Sequence, residues 1–138
     1  MEITFKLSEI DEVAQTLLNH LKNKTLCFHG DMGAGKTTLI RALVKALDGA
    51  DEANSPTFGL VNEYHHKDGN LLGYHFDFYR IESEEEALDM GLEDYLASDA
   101  WLFLEWPEKI QSLLPTDKVS IHLHFIDENT RSVEFSLD

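Results

Sequence analysis

Hydrophobic and polar residues change their period several times along the chain, and each change marks an element. Ile3, Phe5 and Leu7 alternate with polar neighbours, which predicts a strand over residues 2–7. Ser8 stands three residues before Asp11 in a capping-box pattern, and Ile10, Val13, Ala14, Leu17, Leu18 and Leu21 follow at helical spacing. An amphipathic helix over 9–22 is expected. A short apolar strand from Thr25 to His29, a glycine-rich turn from Gly30 to Gly35 and a second amphipathic helix from Lys36 to Leu47 come next. Gly49 is the expected left-handed residue after that helix. A loop over 50–58 leads to two strands, Leu60–His65 and Leu71–Phe76, joined by the turn Lys67-Asp68-Gly69-Asn70. Glu82 to Leu96 reads as two short helices broken near Gly91, and Trp101 to Glu105 as an apolar strand. Pro107 stops that strand, and a helix from Glu108 to Leu114 ends before Pro115. Val119, Ile121, Leu123 and Phe125, then Val133, Phe135 and Leu137, alternate with polar residues around Asp127-Glu128-Asn129-Thr130. This is a C-terminal antiparallel hairpin.

The order of strands and helices predicts an α/β fold: a three-layer domain with a mainly parallel sheet and an antiparallel C-terminal hairpin. A length of 138 residues suits one domain, expected to span 1–138. Charge changes the picture more than size does. Eleven Lys and Arg face 26 Asp and Glu, a formal net charge of −15. Such a surface repels a nucleic-acid backbone and anionic lipid, so tight binding to DNA or RNA by the chain alone is not expected, nor is a membrane partner. A basic protein surface is the natural counterpart. The single cysteine, Cys27, excludes an intramolecular disulfide and reads as core. No apolar run reaches membrane-span length and the first residues lack a signal-peptide pattern, so a cytoplasmic protein is expected.

The strongest chemical signal is Gly30-Asp31-Met32-Gly33-Ala34-Gly35-Lys36-Thr37, which fits G-x-x-x-x-G-K-[ST] without a mismatch. It lies between a predicted strand and a predicted helix, the context the motif needs. Backbone N–H groups from Asp31 to Thr38 are expected to cradle phosphate oxygens at the positive end of the helix. Lys36 is expected to bridge the β- and γ-phosphates of a nucleotide, and the Thr37 hydroxyl to ligate Mg²⁺. A second metal anchor belongs at the end of another strand. Asp77 and Glu105 each close an apolar run, and either carboxylate could hold the metal or orient the attacking water. The pairs His65-His66 and His122 with His124 read as solvated strand residues. The run from Glu82 to Asp99 holds eight acids and no Lys or Arg. It is either a solvated helix face or a docking surface for a basic partner.

These residues resemble the bacterial TsaE (YjeE) family, small P-loop ATPases of tRNA threonylcarbamoyladenosine synthesis. The resemblance runs from about Leu26 to Pro107 and rests on five segments in order: Gly30 to Thr38, Ser55 to Tyr64, His75 to Arg80, Gly91 to Leu96 and Leu104 to Glu108. It implies ATP and Mg²⁺ as cofactors, slow hydrolysis, Thr37 and Glu105 on the metal, and Asp77 nearby in a switch-like role. It implies a mobile Ser55-Pro56-Thr57 loop facing the γ-phosphate and Trp106 beside Glu105. It also implies two partner proteins that carry out the transfer to the adenosine beside the anticodon. Met32 and Gly59 stand where the family pattern suggests Leu and Thr, and neither position supplies a required ligand.

Two rival readings use the same phosphate loop. A small-molecule kinase needs several arginines around two phosphoryl groups, and the chain has only Arg41, Arg80 and Arg131. A nucleotide-gated binding module would use ATP to set a conformation, with hydrolysis incidental. A GTPase is disfavoured by the lack of an Asn-Lys-x-Asp motif. For the adenine, the residues around Ser8 and Arg131 are the candidates.

Overall fold

β2 (Thr25–His29) is apolar on both faces because it lies at the centre of a sheet covered on both sides. A computed structural model describes residues 1–50 and 60–137 of the chain. Around β2 stand β1 (Glu2–Lys6), β3 (Val61–His65), β4 (Leu71–Asp77), β5 (Trp101–Glu105), β6 (Val119–Asp127) and β7 (Thr130–Leu137). Their order is β1-β7-β6-β2-β5-β4-β3. The four central strands, β6, β2, β5 and β4, run parallel. The β6–β7 and β3–β4 hairpins and the β1–β7 pair add antiparallel flanks. The parallel centre and the C-terminal hairpin are those expected from the sequence.

Period-two alternation splits the core in two. Leu26, Phe28 and Phe103 point to one face, where α1 (Ile10–His20) and α2 (Lys36–Ala46) contribute Val13, Ala14, Leu17, Leu39, Ile40 and Leu43. Cys27, Leu102 and Leu104 point to the other. There they meet Ala87 of α3 (Glu84–Asp89), Leu92 of α4 (Leu92–Leu96) and Ile110 of a 3₁₀ segment, Pro107–Leu113. Full burial of one such Leu or Phe removes about 1.5–3 kcal/mol of apolar exposure, so both helical layers are firmly held.

Three local expectations are corrected. Ser8 sits inside a 3₁₀ turn, Leu7–Glu9, and the capping contact belongs to Glu9, whose Oε1 accepts the Lys6 backbone N–H at 2.7 Å. At the end of α2 the left-handed residue is Asp48 (φ 64°), not Gly49. Asp48 N–H reaches Lys45 O at 3.0 Å and Gly49 N–H reaches Val44 O at 2.9 Å, the two bonds of a Schellman ending. The α-helix expected over 108–114 is the 3₁₀ segment, kinked at Ile110 (φ −128°, ψ 32°) and entered through Trp106 in the left-handed region (φ 57°). The Ser55–Phe58 loop lies outside the described residues. Among those described, no helix is long and apolar enough to cross a membrane.

Candidate functional site

The phosphate loop connects the C-terminal end of β2 to the first turn of α2, so its shape is set by two buried elements. A Cβ on Gly30 would stand 2.6 Å from the Leu123 carbonyl oxygen of β6, too close for any side chain. Gly35 caps α2 with φ 104°, a conformation that glycine adopts without strain. The Ala34 N–H turns back on Asp31 O at 3.0 Å, and the Leu39 N–H on Gly35 O at 2.9 Å, which starts the helix. Behind the loop, Arg131 of β7 donates from Nε to Ala34 O at 2.9 Å and from Nη1 to Asp127 O and Thr130 O. Its guanidinium also lies over the Phe125 ring. Arg131 is thus buried and engaged in bracing the loop. Ser8 is exposed, and the Leu7 N–H is bonded to Asn129 O at 2.9 Å, which ties the turn at Ser8 to the β6–β7 turn that precedes Arg131.

In front of the loop opens a cavity of about 800 Å³. The sequence-predicted Met32, Gly33, Gly35, Lys36, Thr37, Thr38, Asp77 and Glu105 line it, with Leu60, Tyr79, Arg80 and Trp106. Asp31 is exposed beside it and Ala34 is buried beneath it. Lys36 is only 5% exposed. Its Nζ donates to Gly30 O at 2.6 Å and lies 3.8 Å from the centroid of the Trp106 ring. Burial lowers the Lys36 pKa from its ordinary value, opposed by the surrounding acids Glu105, Glu108, Asp77 and Asp31.

Glu105 ends β5, and alternation puts it on the same face as Phe103, toward the start of α2. There Thr37 Oγ1 donates to Glu105 Oε2 at 3.0 Å. The same oxygen lies 2.6 Å from Nε2 of His75, a buried residue of β4. Burial would raise the pKa of Glu105. The His75 hydrogen bond and charge, the Thr37 hydroxyl and the Lys36 ammonium outweigh it and hold the carboxyl below its ordinary range. Asp77 is the register partner of Glu105 on the neighbouring strand, yet it is exposed at the cavity rim, where its Oδ1 accepts the Tyr79 backbone N–H at 3.0 Å.

The donor set fits a small hard cation. It consists of a hydroxyl whose proton is given to a carboxylate, leaving its lone pairs outward, and two strand-end acids. Among the described residues no three His, Cys, Asp or Glu side chains gather to hold a metal alone, so such an ion would depend on Thr37 and on phosphate oxygens. Two of the histidines expected to be solvated have protein neighbours instead: His65 pairs with Glu63 at 3.2 Å, and His122 stacks on His29. In the acidic run, Glu84 accepts both the backbone N–H (2.9 Å) and the hydroxyl of Ser112, pinning α3 to the 3₁₀ segment.

His75 is the residue that sequence reasoning missed. Its signal was available: a polar residue within the apolar run 71–76, two positions before Asp77 and therefore on the same face of the strand.

Comparison with known proteins places this arrangement. A family model described as "Threonylcarbamoyl adenosine biosynthesis protein TsaE" matches residues 4–133. A Haemophilus influenzae protein named tRNA threonylcarbamoyladenosine biosynthesis protein TsaE is 39% identical over 77% of this chain and 65% of its own length. Proteins of the same name from Bacillus subtilis and Aquifex aeolicus are 36% and 37% identical, over 80% and 96% of this chain and 68% and 87% of theirs. The crystal structure of Bacillus subtilis YdiB shares the fold, with a TM-score of 0.71 at 24% identity, covering 99% of this chain and 86% of that one. On the match over residues 4–133, around a phosphate loop built as described, the chain belongs to the TsaE family of threonylcarbamoyl adenosine biosynthesis proteins.

Proposed function

We propose that residues 1–138 act as one Mg²⁺-dependent ATPase unit, slow by itself, that works with the two other proteins of the threonylcarbamoyl-transferase complex. The observation that carries this reading is the Thr37–Glu105 hydrogen bond, which joins the end of the phosphate loop to the end of β5 across 68 residues of sequence. Backbone N–H groups from Asp31 to Thr38 bind the phosphate chain, favoured by the first turn of α2. Lys36 moves from the Gly30 carbonyl to the β- and γ-phosphates, an exchange of a neutral acceptor for charged ones. Thr37, with Glu105 and Asp77, would hold Mg²⁺, whose charge neutralises the phosphate oxygens when it is bound. Asp77, exposed at the rim, is suited to orient the attacking water.

The acidic surface repels the tRNA backbone, so contact with tRNA runs through the partners. The cavity rim and the exposed part of the acidic run are where they would meet the chain. This reading puts the protein in the cytoplasm.

Lys36→Ala tests it. Nucleotide affinity in titration calorimetry should fall at least about a hundredfold, as expected for loss of a buried phosphate-paired cation, with native circular dichroism. Unchanged affinity would sink the reading.

A further inference from the structure

We propose that His75 is a positioning residue for Glu105: its imidazole fixes the carboxylate in the orientation that meets Thr37 and a metal. The proposal rests on reading the cavity as an ATP and Mg²⁺ site.

His75 and Glu105 are each 5% exposed, and 2.6 Å separates His75 Nε2 from Glu105 Oε2. Oε2 already accepts the Thr37 hydroxyl, so at 2.6 Å it is an acceptor for the ring too and Nε2 carries the N–H of this contact. The ring lies nearly parallel to Tyr64, 6.4 Å between centroids and 16° between planes. This contact fixes its tilt. Thr37 and His75 converge on Oε2, so neither takes Oε1, the oxygen left for a ligand in the cavity that Glu105 lines.

The other ring nitrogen argues against a packing role. His75 Nδ1 is buried with no hydrogen-bond partner among the described residues. An apolar side chain here would leave no such orphan. What imidazole adds is the single N–H aimed at Glu105. It comes from a strand already rigid in the sheet, where a carboxylate that must keep one rotamer finds a fixed partner.

His75→Leu keeps bulk and removes the donor. His75→Gln returns an N–H close to the position of Nε2. Two quantities are read: steady-state kcat and KM for ATP, and the Mg²⁺ concentration that half-maximally tightens binding of a fluorescent ADP analogue. Outer-shell partners of metal ligands are worth about 10–100-fold. His75→Leu should therefore raise the Mg²⁺ half-point and lower kcat by about that factor, with analogue binding without metal within about twofold of wild type. His75→Gln should recover most of both. Wild-type Mg²⁺ dependence and kcat in His75→Leu would overturn the proposal, as would a His75→Gln that melts normally yet is equally impaired. If His75→Leu does not melt cooperatively, His75→Asn replaces it, since its shorter amide reaches the Nδ1 position only. Native Mg²⁺ dependence in Gln with loss in Asn supports the proposal, and equal behaviour overturns it. Failure of the wild-type chain to bind the analogue at all would instead sink the functional reading.

Discussion

The ends of β4 and β5 offer two carboxylates at one level of one sheet, and they differ in nearly everything but chemistry. Asp77 and Glu105 are register partners on adjacent parallel strands. Glu105 is buried under the first turn of α2 and receives Thr37 and His75 on one oxygen. Asp77 is exposed and, among the described residues, accepts the N–H of its near neighbour Tyr79. The difference comes from what stands opposite each strand. α2 starts over β5, so the β5 acid is desolvated and must be paired, because an unpaired buried charge is costly. β4 lies one strand further out, and its last residue is left to water. A strand-end position therefore specifies a place on the rim, while the facing element decides whether the group is fixed or free.

That contrast can be broken most directly at Glu105. Glu105→Ala should cost at least about a hundredfold in ATP turnover, the range seen when a preorganised active-site group is removed. It should also lower stability by about 1–3 kcal/mol, because Thr37 and His75 lose their shared acceptor. Single-turnover assays and urea unfolding check the two effects, and a variant with normal turnover would move the role to Asp77. Asp77→Asn should cut turnover by only about tenfold, the low end for a group that acts on a metal site from its outer shell, and leave the urea midpoint unchanged. A larger loss at Asp77 than at Glu105 would invert the comparison.

The smallest expected effect is the dependence of stability on acid. The folded pKa of Glu105 lies below its ordinary value of 4.5, so the unfolded chain binds more protons between the two. The stability Glu105 contributes is present above the ordinary value and is lost as pH falls through the folded one. Glu105→Gln should flatten that part of the profile in urea midpoints taken from pH 5 downward. An unchanged profile in Glu105→Gln would show that the contacts of His75, Thr37 and Lys36 do not favour the ionised carboxylate.

The elements nearest the chemistry were the most legible in the chain. The phosphate loop is contiguous, and each part of it obeys a local rule: an apolar strand, glycines where backbone must turn, a helix beginning at Lys36. The β6–β7 hairpin and the break at Gly91 are equally local. The ending of α2 was misplaced by one residue, because Asp48 accepts the left-handed position that glycine usually takes while Gly49 makes the second bond of the motif. The segment after Pro107 has helical composition, yet Ile110 must reach the core beneath α3 and α4, and that demand kinks it into a 3₁₀ form.

The sequence by itself determined that a phosphate loop exists, that two acids close two apolar strands, and that one face of each strand is core. These depend on spacing along the backbone, which neighbouring residues settle among themselves. Local pattern left Asp77 and Glu105 equivalent, separated only by what the family resemblance implied, and it left Arg131 a candidate for the nucleotide base. Tertiary structure alone decided that Glu105 lies under Thr37 and against His75, and that Arg131 braces Ala34 from β7, 97 residues away. Strand order made those choices. β5 and β6 both flank β2 although neither is the next strand after it in the chain, and the sheet's hydrogen bonds, not any local pattern, bring their ends to the loop.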